Sequence, residues 1–73
     1  MTGDQYQRAI DRIGMTQVGS ARFFGVADST ARRWIAGKLA IPVTVEMLLA
    51  VMIHYSLPPE VVMAIAHKDR VAP

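Results

Sequence analysis

Gly25 is the residue that most constrains how this chain can fold, because one short helical pattern ends just before it and another begins just after. Before it, Gln17 to Phe24 places Gln17, Ser20, Ala21 and Phe24 on one side of a helix of 3.6-residue period, with Gly19 and Arg22 opposite. After it, Asp28 to Ala36 divides more sharply, with Ala31, Trp34 and Ile35 on one face and Ser29, Arg32, Arg33 and Ala36 on the other. A glycine at the junction suits a tight turn, since it takes left-handed backbone without a Cβ clash. Gly37 closes the second pattern. The stretch Met15 to Lys38 therefore predicts two short helices joined at one fixed turn, a helix-turn-helix over about 16–37.

The rest of the chain reads as further helices arranged around that pair. Tyr6, Ala9, Ile10 and Ile13 recur at i, i+3, i+4 and i+7, predicting helix 1, which stops at Gly14. At its start either Thr2, with Gln5 three residues on, forms a capping box, or Asp4 caps alone. Thr16 is the expected cap of helix 2. Helices 4 and 5 are expected over about 42–68. Helix 4 should run from Pro42 to about Tyr55 with Val45, Leu48, Leu49 and Met52 as its core stripe, yet Met47, Ala50 and Val51 on its far side are apolar too. A helix apolar nearly all round is covered on both faces, which points to a second copy packed on Met47 and Val51. Pro58 or Pro59 opens helix 5, with Glu60 near the positive end of its dipole. Val61, Val62 and Ile65 are expected to point inward and Met63 outward, and residues 69–73 to form a frayed tail. No alternating apolar and polar run argues for a strand. Residues 1–73 are expected to be a single all-α domain of five helices.

Charge and composition narrow the partners. The chain carries a net charge of +2, and its distribution is uneven. Residues 1–16 sum to zero and residues 39–73 to −1, so the +3 of residues 17–38, from Arg22, Arg32, Arg33 and Lys38 against Asp28, supplies the whole excess. That is where a polyanion would dock. With 73 residues, 52% of them hydrophobic, the chain is more apolar than a small monomer needs, which again points to a surface that meets another chain. No cysteine is present, so disulfides and thiolate metal sites are excluded and a reducing cytoplasm fits. Neither a membrane span nor a signal peptide is expected, the longest apolar run being Val45 to Ile53 with Glu46 inside it.

The run Thr16-Gln17, Ala21-Arg22, Gly25-Val26, Thr30, Arg32-Arg33-Trp34, Gly37 and Ile41-Pro42 resembles the Cro and phage-repressor-like (XRE-type) helix-turn-helix family, most strongly from Met15 to Leu49. The resemblance implies a compact five-helix DNA-binding domain. It implies that Gln17 bonds a backbone phosphate or supports the recognition helix, and that Asp28, Ser29, Arg32 and Arg33 face the major groove. Three places depart from the family pattern: Ser20 replaces an aliphatic residue, Phe24 replaces leucine, and Ala27-Asp28 replaces a small hydroxyl cap. Phe24 is expected to fill the volume Ser20 leaves while the Ser20 hydroxyl bonds back to the preceding turn. Asp28 either caps helix 3 or accepts from a cytosine amino group, and both stay open.

On that reading a nine-residue helix about 13 Å long enters a groove about 12 Å wide. One of Arg32 and Arg33 reads guanine by a bidentate contact and the other holds a phosphate, as do Lys38 and the backbone N–H groups opening helices 2 and 4. Thr44 adds a hydroxyl contact. Two copies would present their recognition helices about 34 Å apart, on half-sites one turn of double-stranded DNA apart, with Met47, Val51 and Met63 at the dimer interface. The expected function is a small cytoplasmic regulator, nucleoid-associated when bound, most plainly a repressor on an inverted repeat.

Other readings of the same residues are plainer. Trp34 shares its face with Ala31 and Ile35 and belongs to the core rather than to a base-stacking platform. His54 and His67 lack a metal-ligand spacing, and Met47, Met52 and Met63 serve as gap fillers as well as interface candidates. No nucleophile context, glycine-rich phosphate loop or metal motif is present, so catalysis and cofactors are not expected. A second class of function stays open: a protein-interaction module, antitoxin-like or anti-activator, that holds a partner protein through the apolar faces of helices 4 and 5. Replacing Arg32 and Arg33 separates the two.

Overall fold

A computed structural model describes residues 1–68. They form five α-helices, α1 Gly3–Ile13, α2 Gln17–Phe24, α3 Asp28–Ile35, α4 Val43–His54 and α5 Pro59–Lys68, and no strand among the described residues. The expected frayed tail lies outside them.

Local signals set most of the helix ends. Thr2 Oγ1 accepts from the Gln5 N–H at 3.1 Å while the Thr2 N–H donates to Gln5 Oε1 at 2.8 Å, so the capping box forms and Asp4 is not the cap. Thr16 Oγ1 accepts from the Gly19 N–H at 2.9 Å. The ends of α1 to α4 share one closure, in which an N–H two or three residues past the helix reaches five residues back. Met15 donates to Ile10, Val26 to Ala21, Lys38 to Arg33 and Leu57 to Met52, at 2.8 to 2.9 Å. That closure needs a left-handed residue at the pivot. Gly25 supplies it at φ 71° between α2 and α3, and Ser56 supplies it at φ 53° after α4 as the one non-glycine residue with positive φ among those described.

The core gathers on α1, which packs against α2, α3 and α4, while α2 also packs on α3. Tyr6 and Ile10 are fully buried and meet Ala9, Met15, Ala21, Ala31, Trp34, Val45 and Leu49. The Tyr6 ring stands edge-on to Trp34 with centroids 5.6 Å apart. Its hydroxyl donates to Ser20 Oγ at 2.7 Å, and Ser20 Oγ donates to the Gln17 carbonyl at 2.7 Å. The Ser20 hydroxyl thus bonds back to the preceding turn as expected. It is Tyr6 from α1 that meets Ser20, and the half-buried Phe24 packs beside that pair, its ring 6.3 Å from Tyr6. No buried side-chain polar atom is left without a partner among the described residues. The Met1 α-amino group pairs with Glu46 at 2.7 Å and ties the start of α1 to α4.

Four expectations are corrected. Helix α3 ends at Ile35 and α4 runs from Val43, with Pro42 as its cap, to His54, each shorter than the periodicity suggested because the closing turns take up the flanking residues. Asp28 does not cap α3: Ala27 holds the cap position, no side chain bonds there, and Asp28 is already the first helical residue. Leu48 is half-buried rather than in the core stripe. Most consequentially, of the three residues expected to point inward only Val62 is half-buried; Val61 and Ile65 are 39% and 49% exposed, and no residue of α5 is fully buried. The chain turns by 110° between the axes of α4 and α5, which carries α5 away from the core that its apolar residues were expected to join. No single described helix is long and apolar enough to cross a membrane.

Candidate functional site

The outer face of α3 follows from its inner one. Ala31 is fully buried and Trp34 nearly so, and at 100° per residue their opposite side is centred on Ser29 and Ala36. Arg32 and Arg33 flank that line, one on each side. Ser29, Arg32, Arg33 and Ala36 are all exposed. With Lys38 they line a shallow open depression of about 280 Å³. Lys38 joins them because Gly37, at φ 74°, folds the chain back at the end of α3 and lets the Lys38 N–H close on the Arg33 carbonyl.

Three guanidinium or ammonium groups therefore share one concave surface. The one ion pair among the described residues is Met1 with Glu46, so neither Arg32 nor Arg33 is matched by a carboxylate there. A surface that gathers three like charges favours a polyanion. Five donors per guanidinium make the surface suited to phosphate oxygens or to the acceptor edge of guanine.

The other candidates stand apart from this depression. Asp28 is exposed at the first residue of α3, where its carboxylate meets the positive end of the helix dipole. Gln17 is half-buried at the start of α2, and its carbonyl is taken by Ser20 Oγ. Thr44 is exposed in the first turn of α4. Ala36 is a lining residue that was not named as a contact, although its place on the polar face of the helical pattern was already visible. Met47, Val51 and Met63 are exposed, on α4 and α5.

Two features fix how α3 is presented. Gly3, the first residue of α1, lies against the last carbonyls of α3: a methyl there would overlap the Ile35 carbonyl and come within 2.7 Å of the Trp34 oxygen. The positive end of the α1 dipole thus meets the negative end of α3. The second feature is the Tyr6–Ser20–Gln17 chain, which locks α2 to α1. Burial pushes the Tyr6 phenol above its usual range, and the bond with Ser20 offsets part of that shift. Tyr6 is fully buried and belongs to the scaffold rather than to the surface.

No three His, Asp or Glu side chains gather in a way that could hold a metal ion among the described residues. His54 is exposed and stacks edge-on to Tyr55 at 4.7 Å. Compared with protein-family models, with curated proteins and with solved structures, the chain matches none, and its function has to be argued from its own residues.

Proposed function

We propose that this chain is a sequence-specific DNA-binding regulator with the phage-repressor-like helix-turn-helix fold that its central stretch resembles, acting as a cytoplasmic homodimeric repressor on an inverted repeat. The observation that carries the reading is the cationic outer face of α3, where Arg32, Arg33 and Lys38 line one depression without a carboxylate to neutralise them. Eight residues make α3 about 12 Å long, which fits a major groove about 12 Å wide. The midline residues Ser29 and Ala36 are small, so no bulky side chain holds the helix off the base edges.

Arg32 and Arg33 then reach to opposite sides of that midline. One donates two parallel hydrogen bonds to guanine O6 and N7, and the other holds a phosphate together with Lys38. Gln17, Asp28 and Thr44 surround this centre, Gln17 and Thr44 toward the backbone. With its capping role removed, Asp28 is available to accept from a cytosine amino group. A bound regulator of this kind acts by occupying the DNA that polymerase needs.

The exposed apolar side chains of α4 and α5 favour a second reading, a module that holds another protein. The double replacement Arg32→Ala with Arg33→Ala tests between them. On the DNA reading, specific binding is lost while the fold persists, because both side chains are exposed. Undiminished affinity for DNA in that protein would remove α3 as the reading surface.

A further inference from the structure

Helix α5 is formed but weakly supported. None of its 10 residues is fully buried, Pro59 and Val62 being half-buried, and the extensively packed helix pairs among the described residues are α1 with α2, α3 and α4, and α2 with α3. Isolated helices shorter than about 12–15 residues are marginal in water whatever their propensity. Pro59 and Glu60 favour its start, but such end effects do not replace a packed face.

On α4 a complementary surface lies open. Val43, Met47, Val51 and Tyr55 recur every fourth residue and form one ridge along the helix, opposite Val45, Leu49 and Met52. Met47 is 61% and Val51 46% exposed. The face carries no acid or Lys/Arg: Glu46 is engaged with the Met1 amino group, and His54 and Ala50 complete the surroundings. An uncharged centre is what the buried part of a homodimer interface needs. Ridges of i±4 spacing interdigitate with ridges of the same spacing, and α5 offers one in Val61 and Ile65.

The chain's own α5 does not cover this ridge. Ser56 in left-handed backbone, the closure of Leu57 onto Met52, and two consecutive prolines set the 110° turn between α4 and α5. The side chains of both helices remain open. A second copy solves the problem for both at once, since a two-fold axis lets each α5 cover the other copy's α4. The six exposed apolar side chains on these two ridges, Val43, Met47, Val51 and Tyr55 of α4 and Val61 and Ile65 of α5, present on the order of 600 Å², at the lower end of the range around 800 Å² per partner of a standard stable interface.

We infer that α5 is an arm that folds onto α4 of a second copy, so that helix formation in α5 and dimerisation are one coupled event. This specifies the homodimer of the function proposed above and does not depend on DNA. In the monomer α5 loses its helix and α1 to α4 remain.

The test is amide hydrogen exchange of the full chain across a dilution series, with sedimentation at the same concentrations, for the natural protein and for Met47→Glu with Val51→Glu. Both replaced residues are exposed on a single copy, and protection of α1 to α4 reports whether the variant is folded. The natural protein is expected to gain α5 protection in step with dimer mass. The variant is expected to keep α1 to α4 protected, to leave α5 unprotected, and to weaken the dimer by about 100-fold or more. The same outcome is expected from Ile65→Asp on the arm. Helix α5 protected at concentrations where the protein sediments as a monomer would overturn the inference, as would a variant that dimerises unchanged. Arg32→Ala with Arg33→Ala keeps the dimer and loses DNA, so the two proposals fail separately.

Discussion

Arg32 and Arg33 differ in direction by 100° around α3, and this makes their roles separable by single substitution. The arginine that reads a base is expected to cost about 1–3 kcal/mol when replaced by alanine and to relax the preference at one base position. The one that holds a phosphate is expected to weaken all sequences alike and to lower the salt slope by about 1. Titrations of matched and mismatched duplexes at several salt concentrations distinguish the two. Below the surface, Tyr6→Phe removes the bond to Ser20 while leaving the Ser20 bond to Gln17, and should cost about 1 kcal/mol in urea denaturation. The same residue sets an alkaline limit. Because its folded-state pKa is raised, the unfolded chain ionises first, so the stabilisation is full below the usual phenol range near 10 and is lost as the pH rises past it. The advantage of the natural protein over Tyr6→Phe should therefore be constant through neutrality and shrink above pH 10.

At the scale of the elements, backbone conformation at two pivots makes opposite demands. Gly25→Ala places a Cβ in left-handed backbone at φ 71° with open space around it, so the cost is conformational, about 1 kcal/mol or somewhat more. For a chain of this size that lowers the melting temperature by several degrees. Ser56→Gly relieves the same strain at φ 53° and should raise stability by up to about 1 kcal/mol, a change that thermal unfolding followed by circular dichroism resolves. Helix ends were legible in the sequence because capping is local: Thr2 with Gln5, Thr16, and the glycines after α1, α2 and α3 all act within a few residues. Asp28 misled because its residue type favours a cap while the chain enters the helix one residue earlier. The fate of α5 was not legible. Its apolar spacing is the same whether or not it packs on its own core, and the left-handed backbone at Ser56 sets the 110° turn that leaves it exposed.

Across the whole molecule, α1 rather than the α2–α3 pair is the hub of packing, and contacts distant in sequence give it that place. Tyr6 meets Ser20 fourteen residues away, and Gly3 meets the end of α3 more than thirty residues away. Neither is written in any local periodicity. The gathering of Ser29, Arg32 and Arg33 was visible from the helical repeat alone, whereas Lys38 joins them through the turn at Gly37. Gln17 and Asp28, assigned through the resemblance, and Thr44, named for its place in the first turn of α4, lie outside the depression that Ser29, Arg32, Arg33 and Lys38 share with Ala36. These long contacts tie the cationic face of α3 to a rigid scaffold, while the exposed apolar side chains lie on α4 and α5, so the depression lined by Arg32, Arg33 and Lys38 and the apolar ridge are separate surfaces. The most direct test of this account is enrichment and sequencing of random duplexes bound by the natural protein and by Arg32→Ala with Arg33→Ala, each at two salt concentrations. Recovery of a palindromic motif with half-sites about one helical turn apart, persisting at the higher salt and absent from the variant, is the predicted result. Weak binding without a motif, lost at higher salt and equal in both proteins, would contradict it.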